Sequence, residues 1–117
     1  MSLHSKSNTE KGIASESLAA EYLINKGFEI RERNYRFKRG EIDIIALENN
    51  TLVFVEVKSR AVTYFGFPEE AVSNKKAALI IETAENYIYE KEWKGSIRFD
   101  IISITGKEVM HLPDAFY

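Results

Sequence analysis

The sequence predicts an α/β sandwich, in which a mixed sheet of about five strands carries helices on its faces. Two long segments have apolar residues at helical spacing, and the segments between and after them are short runs rich in β-branched and aromatic residues. Their order is helix, three strands, helix, two strands, which is typical of helices packed on a mixed sheet. With 117 residues and 44% hydrophobic residues, the chain fits one compact domain.

Composition limits the classes of protein that the chain can belong to. We expect residues 1–8, which are mostly polar, to form a mobile tail and residues 9–117 to form the domain. The absence of cysteine excludes disulfides, thiolate zinc sites and a cysteine nucleophile. No apolar run approaches the roughly 18 to 20 residues of a membrane span, and no signal peptide is visible. We therefore expect a cytoplasmic protein with no membrane partner.

The first predicted element is a helix that Asn8 or Thr9 caps and that runs to about Lys26, where Gly27 can end it in the left-handed conformation. Glu16 is a carboxylate among apolar and small neighbours on its inward stripe. Periodicity alone favours an edge position for this side chain, but a helix packed on the following strands would bring it to a metal site. The predicted stripe consists of Ile13, Glu16, Ala20, Leu23 and Gly27.

The later elements follow from local composition. Ser73 can cap the second helix, whose predicted stripe contains Lys76 and Ile80, and Thr105 and Gly106 can turn the chain between the last two strands. The predicted ranges are 28–37, 40–47, 52–58 and 97–104 for the first four strands, 73–90 for the second helix and 108–112 for the last strand.

The second and third strands predict a tight hairpin, because Asn49 and Asn50 separate them and Asn tolerates the left-handed backbone of two-residue loops. In that register Asp43 lies opposite Glu56. Since side chains alternate between the two faces of a sheet, these two carboxylates share a face with Lys58.

Two opposed carboxylates require compensation, because like charges directly opposite each other destabilise a sheet. Mg²⁺ or Mn²⁺ is the economical candidate, since hard cations take oxygen ligands. A structural alternative pairs Lys58 with Glu41 across the hairpin, but it leaves Asp43 and Glu56 unexplained. The Glu-x-Lys pattern alone is weak evidence, because a second copy, Glu92-Trp93-Lys94, lies outside any strand pattern.

Basic residues cluster before the hairpin. They are Arg31, Arg33, Arg36, Lys38 and Arg39, interleaved with Tyr35 and Phe37. By itself the cluster is typical of a solvated edge strand that is protected by charge. Beside an acidic metal site it also suits phosphate contacts. The formal net charge of −2 argues against strong, indiscriminate binding of nucleic acid.

Other polar residues point to structural roles. Asp100 interrupts an apolar strand, where a buried carboxylate needs a partner, and we expect Arg98 or a backbone amide rather than a metal. His111 is expected at the surface or on an edge strand, and His4 in the tail. Neither histidine shows the spacing of metal ligands.

Several motifs together resemble the YraN-type family, an uncharacterised bacterial family placed in the PD-(D/E)xK nuclease superfamily. The motifs are Gly12-x-x-x-Glu16-x-x-Ala19, Gly40-Glu41-Ile42-Asp43, Val53-Phe54-Val55-Glu56-Val57-Lys58-Ser59-Arg60, Val72-Ser73-x-x-Lys76 and Arg98-Phe99-Asp100. The resemblance covers residue 10 to the C-terminus, and it implies a restriction-endonuclease-like sandwich similar to Holliday-junction resolvases. The proline of the superfamily motif is absent, since Ile42 precedes Asp43.

The resemblance also implies roles for individual residues. Asp43 and Glu56 become metal ligands together with the Val57 carbonyl, Lys58 becomes the catalytic lysine, and Glu16 lies near the metal. Lys76 falls where a polar residue of the second helix lines the site.

The implied activity is Mg²⁺-dependent hydrolysis of phosphodiester bonds in DNA, including branched DNA, with a homodimer as the implied assembly. Phosphate contacts fall to Arg33, Arg36, Arg39, Arg60 and Lys76. The alternatives are a non-catalytic nucleic-acid-binding module on the same fold and a protein-interaction adaptor. The adaptor would use an aromatic patch of Tyr64, Phe65, Phe67, Phe116 and Tyr117.

Overall fold

The computed structural model describes the backbone of residues 8–60 and 73–116, and the side chains of residues 13–59 and 73–116. The predicted tail therefore lies outside the described residues except for Asn8, with which the first helix begins. His4, the side chain of Arg60 and most of the aromatic patch also lie outside them. The patch residue that is described, Phe116, packs on Phe99 with ring centroids 5.4 Å apart.

The described elements occur in the predicted order and confirm the α/β sandwich. They are α1 (Asn8–Asn25), β1 (Glu29–Phe37), β2 (Gly40–Glu48), β3 (Thr51–Arg60), α2 (Asn74–Lys91), β4 (Ser96–Thr105) and β5 (Glu108–Leu112). The strands form one sheet in the order β1-β2-β3-β4-β5. Only β3 and β4 pair in parallel within this described sheet, because α2 carries the chain back between them.

Both helices begin or end as local chemistry requires. Gly27, with φ of 98°, ends α1, and the Phe28 N–H donates to the Leu23 carbonyl at 2.9 Å. The Ser73 hydroxyl accepts the Lys76 N–H at the start of α2. The predicted stripe of α1 is wrong at both ends, because Ile13 is 57% exposed and Gly27 is exposed as well.

Each face of the sheet has its own apolar cluster. Leu23 of α1 packs against alternate residues of the central strands, including Val53 and Ile102. Ile80 and Tyr87 of α2 pack against the other face. Since β3 is covered on both sides, it is an almost continuous apolar run. In the described part of the chain, neither helix is both long and apolar enough to cross a bilayer.

The alternation of side chains breaks in β2. Ile42 and Ile45 both belong to the α2 face, whereas Ile44 belongs to the α1 face. Strict alternation would place Ile42 with Ile44, so the strand changes phase at Asp43. The paired register of β2 with β3 runs from Glu48 opposite Thr51 to Ile44 opposite Val55, as the hairpin predicts, and Asp43 follows directly.

Candidate functional site

Asp43 lies at the point where the pairing of β2 with β3 ends. The Val57 N–H donates to its Oδ2 at 2.8 Å. The carboxylate thus fills the gap between the two strands rather than standing on the sheet directly opposite Glu56. Two features hold it there, the phase change of β2 and the hydrogen bond from Val57.

The structure brings Glu56 and Glu16 to the same place. Glu56 is 5% exposed. Burial and the charge of Glu56 raise the pKa of Asp43 from 3.8 to about 8, Glu16 adds to this rise, and the hydrogen bond from Val57 acts in the opposite direction. Asp43 therefore keeps its proton to a higher pH than an ordinary aspartate, and it shares a hydrogen bond with Glu56.

Glu16 approaches Asp43 from α1. Burial raises its pKa, while hydrogen bonds with Asn34 and Asp43 and the charge of Arg33 lower it. Its Oε1 is buried and has no hydrogen-bond partner among the described residues. An unpartnered buried carboxylate oxygen has an unmet need for a donor or a cation.

Asn34 is a site residue that the sequence analysis missed. It lies in β1 between Arg33, which pairs with Ile44, and Tyr35, which pairs with Ile42, so that it faces the break at Asp43. Its φ of 55° is left-handed, a conformation that Asn tolerates better than most residues. A single Asn inside an otherwise extended run was the available signal.

The cation nearest to the carboxylates comes from α2. The Lys76 ammonium forms an ion pair with Glu56 Oε2. Helix α2 comes close to β2 because residue 40 is glycine, since a Cβ there would lie 2.8 Å from the Leu79 carbonyl oxygen and would also clash with Thr83.

These residues line a cleft of about 280 Å³ between β2, β3 and α2. Its wall includes the acidic side chains of Glu41, Asp43 and Glu56, and the basic side chains of Arg39 and Lys76. Lys58 is half-buried. It is not one of the described residues that line this cleft. The lysine that the structure presents to the carboxylates is Lys76.

The other predicted basic residues lie around the cleft. Arg33 donates to the Ser17 hydroxyl at 3.4 Å. Arg36 is largely exposed and lies 3.4 Å from the Glu41 carboxylate. Glu41 therefore pairs with Arg36 of β1, whereas the structural alternative paired it with Lys58 across the hairpin.

The carboxylate oxygens of the cleft are the type of ligand that a hard cation prefers, but they are too few to fill its coordination shell. Within residues 13–59 and 73–116, no group of three or more His, Cys, Asp or Glu side chains has the arrangement of a metal site. However, Mg²⁺ is often held by one or two carboxylates with water and substrate oxygens completing the shell. Asp43, Glu56 and the Val57 carbonyl can form such a partial set, and the unpartnered Glu16 oxygen is consistent with it.

Asp100 provides the contrasting case of a satisfied buried carboxylate. It accepts from Arg98 Nε at 2.8 Å and from the Asp114 N–H at 3.0 Å, and it lies 2.7 Å from His111 Nε2. Burial acts to raise its pKa, but these bonds outweigh burial and lower it. The expected Arg98 and amide partners are confirmed. The expected edge-strand position of His111 is confirmed, and its side chain is 5% exposed.

Fold and site together define an α/β protein with a carboxylate cluster where two central strands separate. The chain belongs to the family described as uncharacterised protein family UPF0102, whose model matches residues 15–104. A UPF0102 protein of Cytophaga hutchinsonii is 51% identical, covering 90% of this chain and 94% of its own length. Relatives from Persephonella marina and Clostridioides difficile are 49% and 46% identical, covering 91% and 93% of this chain and 92% and 98% of their own lengths. The expected family is confirmed, and the nuclease superfamily remains a prediction.

Proposed function

We propose that this protein is a Mg²⁺- or Mn²⁺-dependent nuclease that hydrolyses phosphodiester bonds in DNA in the cytoplasm. The observation that carries the proposal is the buried Asp43 carboxyl, which the Val57 N–H holds beside Glu56 and whose pKa is raised to about 8. A strongly perturbed carboxyl in a cleft marks a candidate for chemistry. Branched DNA is the proposed substrate structure.

Asp43, Glu56 and the Val57 carbonyl would hold the cation, with Glu16 beside them. A bound divalent cation supplies Lewis-acid chemistry, lowering the pKa of water and offsetting the charge on a phosphate. The Val57 N–H fixes the orientation of the Asp43 carboxylate, and a bound cation would replace the hydrogen bonds of Asp43 with Glu56 and Glu16.

The basic residues of the cleft bind and orient the nucleic acid. Arg39 and Lys76 line the wall beside the carboxylates, and Arg36 is 74% exposed further out. These contacts position a phosphate backbone without reading its sequence. A homodimer, which would present two copies of this cleft to a branched duplex, is part of the proposal.

The test is cleavage of nicked and branched DNA by purified protein in Mg²⁺. Asp43→Asn should abolish cleavage because it removes a metal ligand. Lys58→Ala tests the catalytic lysine that the family resemblance implies, and it should abolish cleavage as well. Lys94→Ala is the matched control, because Lys94 ends the second Glu-x-Lys copy and is exposed away from the cleft; it should cleave at the wild-type rate. Cleavage that survives both site substitutions would exclude this mechanism.

A non-catalytic nucleic-acid-binding module is the second candidate. The observation that favours it is the ion pair of Lys76 with Glu56, which already gives that carboxylate a cation. Calorimetric titration with Mn²⁺ separates the two candidates. A non-catalytic module should bind no Mn²⁺ at millimolar concentration. It should still bind DNA, with an affinity that falls as the salt concentration rises.

A further inference from the structure

The first turn of α2 breaks a rule of helix electrostatics. Ser73 caps the helix, no acidic residue follows in the first turn, and Lys75 and Lys76 occupy it. The amino end of a helix carries partial positive charge, so lysines there are unfavourable and carboxylates are favoured. A cation kept at this position needs a compensating contact.

Lys76 has that contact in Glu56, and the pair is asymmetric. The Glu56 side chain is 5% exposed and the Lys76 side chain is 50% exposed. The carboxylate is thus fixed within the sheet, while the ammonium is carried by a flexible stem that reaches in from the cleft. A buried charge that loses its partner is strongly unfavourable, so Glu56 requires a cation in the folded protein.

We propose that Lys76 is a built-in counter-cation of Glu56, which a divalent metal ion displaces from the carboxylate when it binds. The inference rests on the proposed function and concerns how its site is loaded. A metal ion at about 2.1 Å from Glu56 would lie very close to an ammonium on the same carboxylate, and their charges repel. On displacement the ammonium stays in the cleft wall, where it faces an incoming phosphate.

This role predicts an unusual effect of removing a basic residue. Lys76→Met should bind Mn²⁺ at least about tenfold more tightly than the wild-type protein, because the competing charge is absent. Without metal the variant should unfold at a lower temperature, and saturating Mn²⁺ should recover most of the loss. A side chain that only supports the fold would lower stability without raising metal affinity.

The experiment is calorimetric titration with Mn²⁺, paired with thermal unfolding with and without Mn²⁺. Lys75→Met is the matched control, because it removes the same charge from the neighbouring exposed position, and it should leave Mn²⁺ affinity within about twofold of wild type. Lys76→Arg keeps the charge, so it should bind Mn²⁺ no more tightly than wild type. This second variant tests the role if Lys76→Met does not fold.

The outcomes separate this inference from the proposed function. Mn²⁺ binding by wild type that is unchanged or weakened in Lys76→Met would overturn the counter-cation role and leave the metal site standing. Equal tightening in Lys75→Met and Lys76→Met would also overturn it, since the effect would then reflect net charge. No Mn²⁺ binding by any of the variants would overturn both.

Discussion

Replacing Asp43 with asparagine should stabilise the protein in the absence of metal. The pKa of Asp43 is raised from 3.8 to about 8, mainly by burial and by Glu56. The folded state therefore binds the proton more tightly than the unfolded state, and the associated stability is present at low pH and is lost as pH rises from about 4 to about 8. Asparagine keeps an oxygen for the Val57 N–H and adds an amide that can donate to Glu56.

The size of the effect follows from the pKa difference. Each unit corresponds to about 1.4 kcal/mol, so a rise of about four units gives an upper limit of about 5 to 6 kcal/mol above pH 8. Relaxation of the buried carboxyl pair reduces this limit. We expect Asp43→Asn to raise the free energy of unfolding by about 1 to 3 kcal/mol at pH 9 and by much less at pH 5.

Urea denaturation of metal-free protein at several pH values measures this difference. Asp100→Asn is the matched control, because Asp100 is also a buried aspartate but has a lowered pKa. Its stability contribution is present above the unfolded pKa and is lost as pH falls, so this substitution should destabilise the protein at neutral pH. If Asp43→Asn were also destabilising at pH 9, or had the same effect at every pH, our account of an electrostatically unsatisfied Asp43 would be refuted.

Three further substitutions test the surrounding structure. Gly40→Ala should lower the free energy of unfolding by about 1 to 3 kcal/mol in urea, because its Cβ would lie 2.8 Å from the Leu79 carbonyl oxygen. Asn34→Ala should cost about 1 kcal/mol more than Asn34→Gly, since only glycine keeps φ of 55° without strain, and similar urea midpoints would contradict this. His111→Ala should lower the free energy of unfolding by about 1 to 3 kcal/mol and shift acid unfolding to higher pH, because Asp100 loses a partner that lowers its pKa. Circular dichroism follows the acid transition, and an unchanged transition would argue against that role of His111.

Most of the fold was predictable because it depends on local signals. The bounds of β5 were predicted without error, and Ser73 and Gly27 marked the start of α2 and the end of α1 as expected. Hydrophobic period and capping act within a few residues, so the sequence displays them directly. The prediction for Ile13 was wrong, because its helical phase fits the stripe but its side chain is 57% exposed.

The candidate site was predictable only where register determines it. The Asn49 loop fixes the pairing up to Ile44 and Val55, and this brought Asp43 and Glu56 to the same level of the sheet. Strict alternation then failed, because β2 changes phase at Asp43. The approach of Lys76 depends on the contact of α2 with Gly40, which lies far from it in sequence, and no local pattern reports that distance.

Departures from local rules coincide around the carboxylates of Glu16, Asp43 and Glu56. Asn34 takes a left-handed φ within a strand, Asp43 is buried with a raised pKa, and Lys76 lies at the amino end of a helix. Such departures are not shared by every buried aspartate of the described chain, because Asp100, which is 0% exposed, has its charge satisfied by Arg98, His111 and the Asp114 N–H. A chain that satisfies one buried aspartate fully and leaves another short of positive charge retains the second at a cost to stability. Such a cost is expected where a site must accept a ligand, and here the missing charge is positive.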